Sequence, residues 1–178
     1  SECLVGSEMC IRDRIILRSS CLSVTVNKKA GYISLLDKSG KLLLKEWPEK
    51  ARMNVHGDSV NAYCRFQLQD EEALYGLGQF RDNLMNLRNA KRELVQFNTQ
   101  AAVPVIYSTG KWGLFWDNPS RTIYADNNAG MSFVSDYGRI VNYYLFVGDG
   151  MDKLVAAYRS LTGVAPMLPA WALGYHQS

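Results

Sequence analysis

From Ile15 onward the chain is a succession of short alternating segments cut by turn residues, and this rhythm restricts it to a β architecture. In Leu22–Asn27 the side chains of Leu22, Val24 and Val26 share one face while Ser23, Thr25 and Asn27 share the other. That is the pattern of a strand covered on one side only. IILRS precedes it and GYISLLD follows, with Lys38, Ser39 and Gly40 turning the chain into KLLLKEW, so the opening third reads as a series of hairpins. Strands are predicted again over 62–69, 102–108, 111–116, 122–125, 131–135 and 139–147, with 53–61 as a polar connection holding His56. Trp112, Leu114 and Trp116 fall on one face and offer a large apolar payload, as core for a second sheet or as a sugar-stacking platform. RIVNYYLFV at 139–147 is apolar on both faces and should lie between two layers. The period then changes. Met151, Leu154, Val155, Tyr158 and Leu161 recur at helical spacing, with Asp149 placed to cap the helix and Gly163 to end it. Pro166 and Pro169 make a stiff linker, and 171–177 reads as the first strand of something further on.

Composition removes several classes of function. The net charge of +3 comes from 20 basic and 17 acidic residues intermixed along the chain, which leaves no stripe to hold nucleic acid. No apolar run approaches the roughly 20 residues of a membrane span, so a soluble protein is expected; its compartment does not follow from the sequence, the bacterial periplasm and cytoplasm being the expected alternatives. Four cysteines (Cys3, Cys10, Cys21 and Cys64) lack any ligand spacing and read as free thiols; with only His56 and His176, neither a histidine metal site nor a cofactor is called for. Residues 1–14 show no strand alternation, helical stripe or signal-peptide layout, and LVGSEMCIRD resembles translated adapter sequence. They are expected to form a non-native or disordered leader outside the fold.

The stretch 74–98 changes character along its length. Leu74, Tyr75, Gly76, Leu77 and Gly78 suit a buried strand or bulge, after which Arg81, Asp82, Asn83, Asn86, Arg88, Asn89, Lys91, Arg92 and Glu93 follow with no clean period. A polar loop of that length on a β framework is the best functional candidate in the chain. The remaining acids are assigned plainer roles: Asp117 in a turn, Asp126 in an asparagine-flanked loop, and Glu71 and Glu72 ahead of a strand, all solvated or turn-capping.

Four motifs in order, YGLGQF, NTQAAVPVIYST, GLFWDNPSRT and AAYRSLTG followed by PAWALGYHQS, resemble the N-terminal region of glycoside hydrolase family 31, the α-glucosidase and α-xylosidase family. The resemblance implies a mainly β chain. A galactose-mutarotase-like β-sandwich would occupy 15–148, one helix and a linker 149–169, and the start of a truncated (β/α)₈ barrel 170–178. In that family a sandwich loop folds over the barrel mouth, and an Arg-Asp pair often follows the asparagine matching Asn98, its Asp contacting the sugar. Thr99 and Gln100 stand there in this chain, which tilts the expected substrate towards xylosides. Asn98, Thr99 and Gln100 are therefore the candidate substrate contacts, with Asp82 in the loop either touching the sugar or bonding to its own loop, and His176 at a barrel strand end either as pocket wall or as strand-end packing.

The family's reaction is retaining hydrolysis by two carboxyl groups about 5 Å apart, both on later barrel strands. The chain alone is accordingly expected to be inactive. Its expected partners are its own catalytic barrel and an α-linked oligosaccharide of xyloglucan or maltose type. The rivals are a non-catalytic carbohydrate-binding sandwich stacking sugars on Trp112, Trp116 or Tyr143, and a mutarotase-like epimerase. The second needs a positioned histidine acid and a carboxylate base that the sandwich does not offer.

Overall fold

Strand alternation with turns of few residues can satisfy its backbone groups only by antiparallel pairing, and every strand pair in the computed structural model, which describes residues 7–11, 13–48 and 53–175, is antiparallel. In chain order the strands are β1 (Ser7–Ile11), β2 (Arg14–Arg18), β3 (Leu22–Asn27), β4 (Ile33–Asp37), β5 (Leu42–Glu46), β6 (Met53–His56), β7 (Ser59–Gln67) and β8 (Leu74–Gln79). They continue with β9 (Lys91–Leu94), β10 (Ala101–Ser108), β11 (Trp112–Trp116), β12 (Thr122–Asn127), β13 (Gly130–Ser135) and β14 (Tyr143–Val147), and helix α1 (Met151–Thr162) follows. A ten-stranded sheet runs β1-β2-β3-β4-β5-β7-β13-β12-β9 with β6 paired to β7, and a four-stranded sheet runs β14-β11-β10-β8.

The two inner faces meet through aromatics. Trp116 of β11 stacks on Phe133 of β13 at 5.3 Å, and Phe66 of β7 meets Tyr143 of β14 edge-on at 5.4 Å. Trp112, Leu114 and Trp116 are all 0% exposed, so the stripe is core and neither tryptophan is a platform for sugar. Each indole N–H is satisfied, Trp112 donating to Glu72 at 2.8 Å and Trp116 to Ser135 Oγ at 2.9 Å. Glu46 crosses between the sheets: its carboxylate accepts from the Ile33 amide at 2.5 Å, from Cys64 Sγ at 3.5 Å and from the Tyr143 hydroxyl. Such a buried acid is tolerated because its oxygens are met by donors.

Several expectations are corrected. The polar segment 53–61 is a hairpin, not a connection: β6 pairs with β7 around Gly57, whose φ of 59° suits a tight turn. β6 is a side strand with Met53 44% and Val55 71% exposed, so burial imposed no alternation on it. Of the leader expected outside the fold, Ser7–Ile11 pairs with β2, because backbone ladders ask little of side-chain pattern. Cys21 is disulfide-bonded where a thiol was expected, while Cys64 is a buried thiol that donates to Glu46 at 3.5 Å. Helix α1 begins at Met151 rather than Asp149: Asp149 pairs with Lys111 at 2.6 Å instead of capping, and the opening residue is Gly150. Gly163 closes it as expected, at φ 93°. The span 139–147 shortens to β14, which does lie between layers, with Tyr143, Leu145 and Val147 against the core and Phe146 against Tyr158 of α1. Ala170–Leu173 forms a 3₁₀ turn, and the strand expected over 171–177 runs past the described residues.

Candidate functional site

The loop 80–90 and the turn 95–100 both leave the same edge of the sandwich, and two glycines make that possible. Gly76 and Gly78 have φ of 121° and 96°, and a Cβ on them would sit 2.3 Å from Val105 O and 1.9 Å from Ala101 O. Only glycine lets β10 lie this close to β8, across the irregularity between Ala102 and Ile106. The pairing of Ala101 with Gln79 then sets the start of the Asp82 loop beside the end of the 98–100 turn.

The loop is anchored along its length. Leu87 is 0% exposed; its amide donates to Leu74 O at 2.8 Å and its carbonyl accepts from the Tyr124 hydroxyl at 3.0 Å. Burial, and after it the Asp126 charge, hold that hydroxyl in its protonated form by raising its pKa. Asn86 Oδ1 accepts from the amides of Leu74 and Arg88 at 3.1 and 3.2 Å. Arg88 Nε donates to Asp126 at 2.9 Å, and its Nη1 donates to the carbonyls of Gln69 and Glu72 at 3.0 and 2.8 Å. Asp126 is thus a buried ion-pair partner rather than a solvated loop acid, and its second donor is the Asn89 amide at 2.8 Å. Glu72 is likewise buried, accepting from the Gln69 amide at 2.6 Å and from Ser108 Oγ besides Trp112.

Arg92 is the second clamp. Its Nε and Nη2 donate to the two Asp82 oxygens at 2.9 and 2.7 Å, Nη2 also reaches Leu84 O at 2.8 Å, and its guanidinium lies 4.5 Å from the Phe80 ring centre. Desolvation works to raise the Asp82 carboxyl, but the Leu84 amide hydrogen bond and Arg92 outweigh it and hold the group below the ordinary carboxylate value. Asp82 is therefore ionised and occupied by its own loop, as a bidentate latch. Arg92 carried a readable signal: it is a charged residue on the inward face of a strand whose Leu94 also points in.

The turn 95–100 is braced by its two glutamines. Gln100 Nε2 donates to Val95 O at 3.0 Å, and Gln96 Oε1 accepts from the Ala102 amide at 2.8 Å. Asn98 and Thr99 are exposed at the tip, which closes through the Phe97–Gln100 bridge. The structure thus brings Asp82 and 98–100 to one edge, with Gln100 turned inward as a brace; His176 lies outside the described residues. Beside the turn is an open cleft of about 270 Å³, floored by Val95, Ala102 and Pro104 and flanked by Gln96, Asn118 and Arg121. A hollow of about 400 Å³ on the outer face of the large sheet offers Tyr32, but Lys45 Nζ sits 4.8 Å over that ring. No helix of the described residues is long and apolar enough to cross a membrane.

The model of the glycosyl hydrolase 31 N-terminal galactose mutarotase-like domain matches residues 11–124. An alpha-xylosidase of Saccharolobus solfataricus is 31% identical over 92% of this chain, which covers 24% of that protein. Alpha-glucosidase 2 of Bacillus thermoamyloliquefaciens is 26% identical over 93% of this chain and 22% of its own length. Among solved structures, a GH31 alpha-xylosidase from a soil metagenome, complexed with xylose, superposes with a TM-score of 0.86 at 26% identity, over 96% of this chain and 28% of the other. The chain thus spans about a quarter of the length of the proteins it matches.

Proposed function

The chain belongs to glycosyl hydrolase family 31 through its N-terminal galactose mutarotase-like domain, and from that premise we propose that it serves a retaining α-glycosidase as the fixed wall of the sugar pocket. The enzyme would release terminal α-xylosyl or α-glucosyl residues from xyloglucan- or maltose-type oligosaccharides, the catalytic carboxyl groups belonging to a barrel that continues the chain. The observation that carries the reading is the surface left by α1 and the residues after it. Val164, Met167, Trp171, Leu173 and Tyr175 are 70%, 94%, 80%, 72% and 88% exposed, and Val155 and Leu161 on the helix are 40% and 47% exposed. An apolar run of this size is a surface made to be covered, and a catalytic domain joined at this end is the occupant the family supplies.

In this reading Asn98 and Thr99 face the sugar, Gln100 and Asp82 hold the backbone that presents them, and His176 belongs to the pocket rim. The wall is rigid, since Arg88 and Arg92 leave the loop little freedom to close. A protein carrying this chain and its barrel is expected to hydrolyse a nitrophenyl α-xyloside or α-glucoside, releasing the α-anomer first by proton NMR. The 178-residue chain alone should show no turnover. First release of the β-anomer, or turnover by the chain alone, would overturn the proposal.

A further inference from the structure

The turn that carries Asn98 and Thr99 also displays an aromatic ring with no structural employment. Phe97 is 60% exposed at the tip of the braced turn and makes no ring contact among the described residues. The chain's other phenylalanines show what an employed ring looks like here: Phe66 and Phe133 are fully buried, Phe115 and Phe146 pack against Tyr158, and Phe80 lies under Arg92. Holding a large apolar ring in water gains nothing for the fold, yet the backbone beneath it is fixed from both sides. Gln96 bonds forward to Ala102 at 2.8 Å and Gln100 bonds back to Val95 at 3.0 Å, so the ring is mounted on a framework that cannot collapse to hide it. Next to it the Asn98 amide and Thr99 hydroxyl are exposed and have no hydrogen-bond partner among the described residues.

A flat apolar ring beside two uncommitted polar groups matches the surface of a pyranose, whose C–H face stacks while its rim hydroxyls seek donors and acceptors. A purely apolar cover would leave Asn98 and Thr99 buried without partners, at the usual cost of stranded polar groups. We propose that Phe97 is the sugar-stacking residue of this wall, covering the apolar face of a pyranosyl unit while Asn98 and Thr99 bond its hydroxyls. The assignment rests on the reading of the chain as part of an α-glycosidase pocket. It adds a residue whose aromaticity, rather than its size, sets affinity.

The test is calorimetric binding of xylose and of an α-linked xylosyl disaccharide to the protein carrying the barrel, unaltered and with Phe97→Ala, Phe97→Leu and Phe97→Tyr, alongside steady-state kinetics and thermal midpoints. Phe97→Ala and Phe97→Leu should each weaken disaccharide binding roughly three- to tenfold and raise KM in step, with kcat and the midpoint little changed, and Phe97→Tyr should restore binding. Phe97→Leu binding as tightly as the unaltered protein would overturn the proposal in favour of plain apolar packing. So would Phe97→Ala lowering the midpoint while leaving binding intact. Binding that depends on Phe97 in a protein that turns over no α-glycoside would keep this assignment and remove the functional reading instead.

Discussion

Replacing Trp116 by alanine is expected to cost the isolated chain about 3–5 kcal/mol of unfolding free energy, the range for emptying a fully buried large aromatic. The indole is 0% exposed and lies flat against Phe133 at 5.3 Å and Tyr143 at 6.3 Å, so it is in contact with both sheets at once. Neither sheet can close the gap alone, since each is held in register by its own ladder. Removing the side chain also takes a donor from Ser135 Oγ, although the Thr122 hydroxyl at 2.8 Å still bonds it, so cavity formation dominates the loss. Against a domain stability of about 5–15 kcal/mol that is a large fraction. Trp116→Phe should retain roughly half of what Trp116→Ala loses, because it keeps one ring of the stack. Urea unfolding followed by circular dichroism measures both. A loss under about 1 kcal/mol for Trp116→Ala would mean that the aromatic stripe is not the core between the sheets.

Arg88→Met should be nearly as damaging, for a different reason. The Asp126 side chain is 3% exposed and its charge is met by Arg88 at 2.9 Å and by the Asn89 amide at 2.8 Å. A methionine of similar volume fills the space but leaves the carboxylate without its countercharge and the carbonyls of Gln69 and Glu72 without their donor. Breaking a buried pair by removing one partner costs about 3–5 kcal/mol, and the Arg88 side chain, 23% exposed, places this pair towards the lower figure. Adding Asp126→Asn removes the stranded charge, so the double variant should be more stable than Arg88→Met alone. Strict additivity in a double-mutant cycle would show that the two residues are not coupled. The loss should be seen locally as well, with amides 86–90 exchanging faster than those of β11 and β13.

The contrast between these two sites shows what the sequence could and could not reveal. Trp112, Leu114 and Trp116 announce themselves because a strand places every second residue on one face, so local spacing alone identifies a covered stripe. The Arg88–Asp126 pair joins residues 38 apart, and nothing in the local pattern of either segment points to the other. Without partners in view, Asp126 and Glu72 looked like ordinary loop acids, yet burial made both of them organising groups. The 53–61 hairpin leaves no trace in the local pattern, because a strand flanking the sheet has no covered face to impose alternation. Asp149 sat at a good capping position, but the charge of Lys111 claimed it. In the candidate site Asn98 and Thr99 are singled out by resemblance alone, and their role is a proposal. Phe97 was not legible, since one aromatic in a polar turn makes no pattern, and only its 60% exposure on a braced backbone singles it out.

The proposed function makes the segment 80–100 a wall already built in the absence of sugar, not a lid that closes on it. Amide hydrogen exchange on the protein carrying the barrel, with and without bound xylose, tests this most directly. The prediction is slow exchange at 86–94 that xylose leaves unchanged, together with slowing at 97–99 when the sugar binds. Fast exchange at 86–94 that becomes slow only on binding, or no response at 97–99, would contradict it.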